Sequence, residues 1–200
     1  MPKFTSKIGK FPQKNFIGIF YFAAGMFLFA AVDTLAKVLT ESLHPIQVAW
    51  SRQLGLSFGI LILLTVKGIV ILKTDHFRLQ VFRGCLAAAS ALMFIFAISV
   101  VPIADAVAVS FVAPFFVTVL GALVLGEYVG IRRWTAITIG FIGCLIIIRP
   151  GFSSFQPAVF LVVIAALAYA FRQIVSRILS TSDLTITTVA YTGLTASFLL

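Results

Sequence analysis

The sequence is 200 residues long, 61% hydrophobic and only 10% charged, with a mean hydropathy of +1.14. Soluble domains are roughly 25% charged, so this composition excludes an ordinary water-soluble globule and makes lipid the main solvent. The net charge of +9 would suit nucleic acid, but Lys and Arg stand in short tracts between apolar stretches rather than on one basic face, which points to membrane topology and to no nucleic-acid partner.

An apolar helix needs about 20 residues to cross the hydrocarbon. That length recurs along the chain, without the alternating pattern of barrel strands. The expectation is an all-α polytopic bundle of six complete spans: Phe16 to Leu39, Ile46 to Val66, Phe82 to Val101, Ile103 to Leu125, Trp134 to Ile148 (extending back through Arg132 and Arg133) and Ala158 to Leu179. A truncated seventh starts at Leu184 and runs into the end of the sequence, as in a piece of a longer protein. The first segment lacks a short apolar region with a small-residue cleavage site, so it is expected to stay in the membrane.

Proline punctuates the middle of the chain. Val101-Pro102-Ile103 should reverse it between the third and fourth spans, because Pro lacks an N–H donor and disfavours helix at its predecessor. Pro114 falls inside the fourth span, where a kink serves either packing or gating. Basic residues then set orientation. Lys3, Lys7, Lys10 and Lys14, then Lys67, Lys73, Arg78 and Arg83, then Arg132 and Arg133, then Arg177 share one side, against Arg149 on the other. The N-terminus is expected in the cytoplasm.

Lys37, Arg52 and Arg172 remain, inside spans, with Asp33. A charge at a helix centre costs about 2.5–3.5 kcal/mol on insertion scales, so each is a functional candidate. Asp33 and Arg52 flank the turn near Glu41 at matching depths and could pair; Lys37 lies one turn from Asp33, spacing that also permits pairing. These three are expected to line one end of a central cavity, the alternative being a fixed ion-pair cluster with Lys37 reaching the headgroups. Arg172 would meet substrate from the other side, Gln173 would offer uncharged hydrogen bonds, and Trp50 and Tyr169 would join the cavity beside Arg52 and Arg172.

The remaining polar and small residues have plainer readings. Asp105 reads as a hydrated surface carboxylate, Glu127 as a loop anchor beside Arg132 and Arg133, and Trp134 as an interfacial anchor. Gly84 with Ala88, Ala87 with Ala91, and Gly140 with Gly143 read as close-packing positions. Cys85 and Cys144 read as packing residues. His44 and His76 lie in opposite loops. No metal-ligand cluster, nucleophile–base pair or phosphate loop is visible, so neither catalysis nor a cofactor is expected.

Self-similarity supplies the architecture. Asp33 to Leu39 resembles Gln173 to Leu179, with Lys37 and Arg177 separated by 140 residues, and Val48-Ala49-Trp50 resembles Val189-Ala190-Tyr191. Five spans lie in that offset, so the second copy would be inverted, as in many transporters. Asp33 to Lys37, Arg52, Phe82-Arg83-Gly84, the block from Val101 through Pro114, Leu125-Gly126-Glu127, Trp134 and Gly140 to Gly143 together resemble the EamA-type family of the drug/metabolite transporter superfamily, notably its S-adenosylmethionine-uptake-like branch. The resemblance covers nearly the whole chain.

It implies a cytoplasmic basic segment over 1–15, a first five-helix repeat over 16–150 and the start of a second over 157–200. It further implies a multi-pass protein of the cell inner membrane, a secondary-active carrier of a small-molecule metabolite working by alternating access. A proton or an exchange solute would drive it, and a homodimer is compatible. The candidate substrate-binding or gating residues are Asp33, Lys37, Arg52, Trp50, Pro114, Tyr169, Arg172 and Gln173. The departure from simple symmetry is Gln173, which stands where Asp33 stands in the first copy. A structural or regulatory membrane subunit is the alternative, ahead of an intramembrane enzyme.

Overall fold

The computed structural model describes residues 13–148 and 157–200. Lys3, Lys7, Lys10 and Arg149, used above for orientation, lie outside the described residues, as does the side chain of Cys144. Among the described residues the regular structure is helical: α1 (Gln13–Leu39), α2 (Pro45–Lys67), a 3-10 turn (Ile69–Leu72), α3 (Phe77–Val100), α4 (Ile103–Ser110), α5 (Ala113–Leu125), α6 (Ile131–Ile148), α7 (Val159–Leu179) and α8 (Thr185–Leu199). Five segments are long and apolar enough to cross a membrane: Ile17–Leu39, Pro45–Lys67, Phe77–Val100, Ile103–Leu125 and Val159–Leu179. The 18-residue α6 and the 15-residue α8 are helical but not among these five.

Local chemistry explains the boundaries. α2 starts at a capping box: His44 Nδ1 accepts from the Ile46 N–H at 3.3 Å, Gln47 Oε1 accepts from the His44 N–H at 3.3 Å, and Pro45 supplies a first helical position that needs no donor. At Val101 and Pro102 the backbone is extended, reversing the chain into α4 as the proline predicts. The fourth span kinks as expected: Phe111 and Val112 stay in the right-handed helical region but bond three residues back, to Ala108 O and Val109 O. α4 ends at Ser110 and α5 begins at Ala113, with Pro114 in its first turn. α3 begins at Phe77, earlier than the expected Phe82, because the apolar pattern does not reveal a polar first turn (Arg78, Gln80) that is itself helical.

α3 sits at the centre, packing most extensively on α7 and α8 and also on α2, α4 and α1. Small residues face inward. Ala36, Ala49, Ala97 and Ala106 are buried with Val48, Ile95, Ile98 and Val162 where α1, α2, α3, α4 and α7 converge. Large apolar side chains such as Phe22, Phe27, Phe58 and Phe198 point outward. This suits lipid, where tails solvate Phe as well as a core would and close backbone approach drives packing. A Cβ on Gly84 would lie 2.5 Å from Thr195 Cβ, and one on Gly193 would collide with Ile60, so α8 fits against α3 and α2 only through these glycines. Ala87 and Ala88 are buried as expected. Gly140 and Gly143 differ: among the described residues an added Cβ on either meets nothing within 4 Å, and α6 packs on α4 and α5.

The α1–α2 and α7–α8 hairpins share their turn geometry at a separation of 140 residues. α1 ends at Leu39 and α7 at Leu179; α2 begins at Pro45 and α8 at Thr185. Leu43 N donates to Leu39 O at 2.8 Å and Asp183 N to Leu179 O at 2.8 Å. The hydroxyls of Ser57 and Ser197, also 140 apart, hydrogen-bond between α2 and α8. The two turns lie at opposite ends of α3: Lys37 reaches carbonyls at its C-terminal end, and Asp183 accepts from Gln80 near its start.

Candidate functional site

At the α1–α2 end, Arg52 Nη1 donates to Asp33 Oδ1 at 2.6 Å. The pair is largely buried, and the Arg52 guanidinium lies 5.0 Å from the Phe29 ring centroid, a cation–π arrangement. The expected pairing therefore forms. Lys37 does not join Asp33. Its Nζ donates to Ile98 O at 2.6 Å and Val101 O at 3.5 Å, where the last carbonyls of α3 lack intrahelical donors. Lys37 thus ties α1 to the C-terminal end of α3. Trp50, expected to join the cavity, is 45% exposed.

Further along the bundle, α5, α6 and α7 flank an open cleft of about 310 Å3 lined by Pro114, Val117, Thr118, Arg133, Ala136, Ile137, Tyr169 and Gln173. Three sequence candidates meet here. Gln173 Nε2 donates to the Tyr169 hydroxyl at 3.1 Å, joining residues one helical turn apart on α7. Across from them, the α4–α5 kink sets Pro114 at the wall, and Thr118 spends its hydroxyl on Pro114 O at 2.8 Å.

Arg172 points elsewhere. Its guanidinium stacks over Tyr169, 4.8 Å from the ring centroid, while its buried Nε has no hydrogen-bond partner among the described residues. Arg83 Nε donates to Ser176 Oγ at 2.6 Å, and its Nη1 donates to Thr188 O at 3.3 Å and to the Thr192 hydroxyl. Ser176 in turn donates to Arg172 O at 2.7 Å, so one turn of α7 separates the two arginines.

Two polar clusters hold the α7–α8 end together. Gly126, in the left-handed region at φ 65°, closes α5 and delivers Glu127 to Arg177 at 2.5 Å, with Arg133 at 3.9 Å. This bears out Glu127 as an anchor, and its chief partner is Arg177. Asp183 Oδ2 accepts from Thr74 Oγ1 and Gln80 Nε2, each at 2.6 Å. Its partial burial alone would raise its pKa, but these hydrogen bonds and nearby His76 outweigh that and hold it below the ordinary carboxylate value. Among the described residues no three His, Cys, Asp or Glu side chains gather as metal ligands would.

Sequence reasoning missed Thr118, Arg133 and the intrahelical position of Arg83. Hydropathy starts α3 at Phe82 and leaves Arg83 beside the loop, whereas the helix begins at Phe77 and Arg83 lies more than a turn inside it.

Comparison with known proteins follows the same lines. The chain is 28% identical over 160 residues, 80% of its length and 54% of the relative's, to an S-adenosylmethionine uptake transporter of Rickettsia prowazekii (strain Madrid E). It is 39% identical over 118 residues, 59% of its length and 42% of the relative's, to a riboflavin transporter of Brucella anthropi. It is 25% identical over 140 residues, 70% of its length and 49% of the relative's, to a pseudopaline exporter of Pseudomonas aeruginosa. The chain spans about half the length of the curated relatives it matches. No solved structure matches it. The model of the EamA-like transporter family matches residues 16–149, more than half of the sequence, and with its apolar helices of spanning length the chain belongs to that family of integral membrane transporters.

Proposed function

We propose that the protein is a secondary-active carrier that moves a small metabolite across the cytoplasmic membrane by alternating access, without covalent chemistry. The observation that carries this reading is the cleft between α5, α6 and α7, where Thr118, Tyr169 and Gln173 of membrane-spanning helices gather polar groups beside a kink at Pro114, with Arg133 at the start of α6. Polar side chains at that depth are costly unless they serve a path, and a kinked helix gives a wall that can move. Arg172 flanks this cleft, and Asp33, Lys37, Arg52 and Trp50 belong to the opposite end of the same path.

Residues 16–150 would form a first five-helix repeat and 157–200 the start of an inverted second. The matching turns and the Ser57–Ser197 contact support this, since residues one repeat apart can touch each other at a local twofold axis. The distribution of basic residues supports an orientation with the N-terminus and the α7–α8 end in the cytoplasm. The similarity to S-adenosylmethionine and riboflavin transporters makes these solutes the first to try.

The test is uptake and counterflow by the full-length protein in proteoliposomes, with a panel headed by S-adenosylmethionine and riboflavin. Saturable uptake accelerated by solute on the opposite side is expected, with at least about a tenfold loss in kcat/KM, or about 1.4 kcal/mol, for Gln173→Ala. A protein that binds and moves none of the panel, yet stabilises a partner complex, would instead be a structural subunit.

A further inference from the structure

Every arginine buried within the helices raises the question of what neutralises it, and among the described residues two have no carboxylate partner. The whole sequence holds six acidic residues, all within the described part of the chain. Asp33 is taken by Arg52, and Glu127 by Arg177 and Arg133. Among the described residues neither Arg83 nor Arg172 forms an ion pair with any of the six. Both lie roughly 10 Å inside their helices, Arg83 counted from Phe77 and Arg172 from Leu179.

Their neighbours orient them without discharging them. Ser176, Thr192 and the Thr188 carbonyl fix one edge of the Arg83 guanidinium, and the Tyr169 ring supports one face of Arg172. Arg172 Nε is left buried and unpartnered. Ser176 links the two residues, its hydroxyl accepting from Arg83 and donating to the Arg172 carbonyl, and planar forks of N–H donors match carboxylate and phosphate oxygens. Holding two such groups together in a low-dielectric surround is favourable only with an anion between or beside them.

We infer that Arg83 and Arg172 form an anion site between α3 and α7 that takes the carboxylate or phosphate group of the transported metabolite. This rests on the carrier reading and narrows it to solutes bearing such a group. Tyr169 couples this site to the cleft, since its ring carries Arg172 while its hydroxyl accepts from Gln173.

The experiment measures binding of acetate and inorganic phosphate, by thermal stabilisation and calorimetric titration, to the full-length protein in phosphatidylcholine nanodiscs, against chloride at equal ionic strength. Saturable stabilisation by at least one of the two anions is expected, weakened about tenfold or more in Arg172→Gln and in Arg83→Gln. It should be unchanged in the exposed Arg78→Gln and partly kept in Arg172→Lys, which preserves the charge if the Gln variant misfolds. The inference is overturned if neither anion exceeds chloride, or if the Gln variants are folded and bind as the wild type. It is also overturned if only phosphatidylglycerol nanodiscs separate wild type from Arg172→Gln, which would mark a lipid-headgroup site. Anion binding that follows the arginines in a protein that transports nothing would sink the carrier reading and leave the site. Uptake that survives both Gln substitutions at full rate would do the reverse.

Discussion

The two ends of α3 handle buried cations in opposite ways. Near its C-terminal end, Arg52 has Asp33 at 2.6 Å and Lys37 has the terminal carbonyls of α3, so both positive charges are matched within the fold. Near its start, Arg83 and Arg172 have hydroxyls, a carbonyl and an aromatic ring, and no carboxylate among the described residues. The first arrangement is matched within the fold, so a solute that reaches it must open the Asp33–Arg52 pair. The second leaves electrostatic demand unfilled, and that is where a charged solute gains most.

The largest expected break in this comparison is at the neutralised end. Asp33→Asn or Arg52→Gln alone leaves a buried charge unpaired and should cost about 3–5 kcal/mol in stability, with the double substitution costing less than the two singles summed. A thermal-unfolding double-mutant cycle in nanodiscs measures that coupling, and simple additivity would show the pair to be idle. Lys37→Met removes hydrogen bonds from a charged donor to the α3 carbonyls, worth about 1.5–3 kcal/mol, and the same melts should register it. At the α7–α8 end Glu127→Gln touches only partly exposed pairs, so a loss within about 1 kcal/mol is expected there.

The smallest effect is a pH dependence. Asp183 is held below its ordinary pKa, so its hydrogen bonds to Thr74 and Gln80 stabilise the fold fully above the unfolded value near 3.9. That contribution is lost as pH falls below it through the folded pKa. Asp183→Asn should flatten the acid limb of the stability profile below about pH 4, and an unchanged limb would mean that the contact does not hold the turn.

Hydropathy made the helices legible, because an apolar run of spanning length has one backbone solution in lipid. Pro102 and Pro114 marked where that run reverses and kinks. The Asp33–Arg52 pair was also readable, since equal distances from one turn fix equal depth. The partner of Lys37 was not, because an i,i+4 spacing permits a pair without excluding a carbonyl on another helix. Gly140 and Gly143 misled for a similar reason: spacing shows that two glycines share a face, and only the packing shows whether anything lies against it. Arg83 was hidden by a polar first turn that hydropathy reads as loop.

The claim that ties both ends together is that the cleft beside Pro114 lies on the solute's path. Gln173→Cys, in a full-length protein with its native cysteines replaced, tests it through labelling by a water-soluble, membrane-impermeant maleimide with and without transported solute. Labelling that saturating solute slows severalfold or more is the predicted result. Absence of labelling from either side of the membrane, or labelling that solute leaves unchanged, would contradict it.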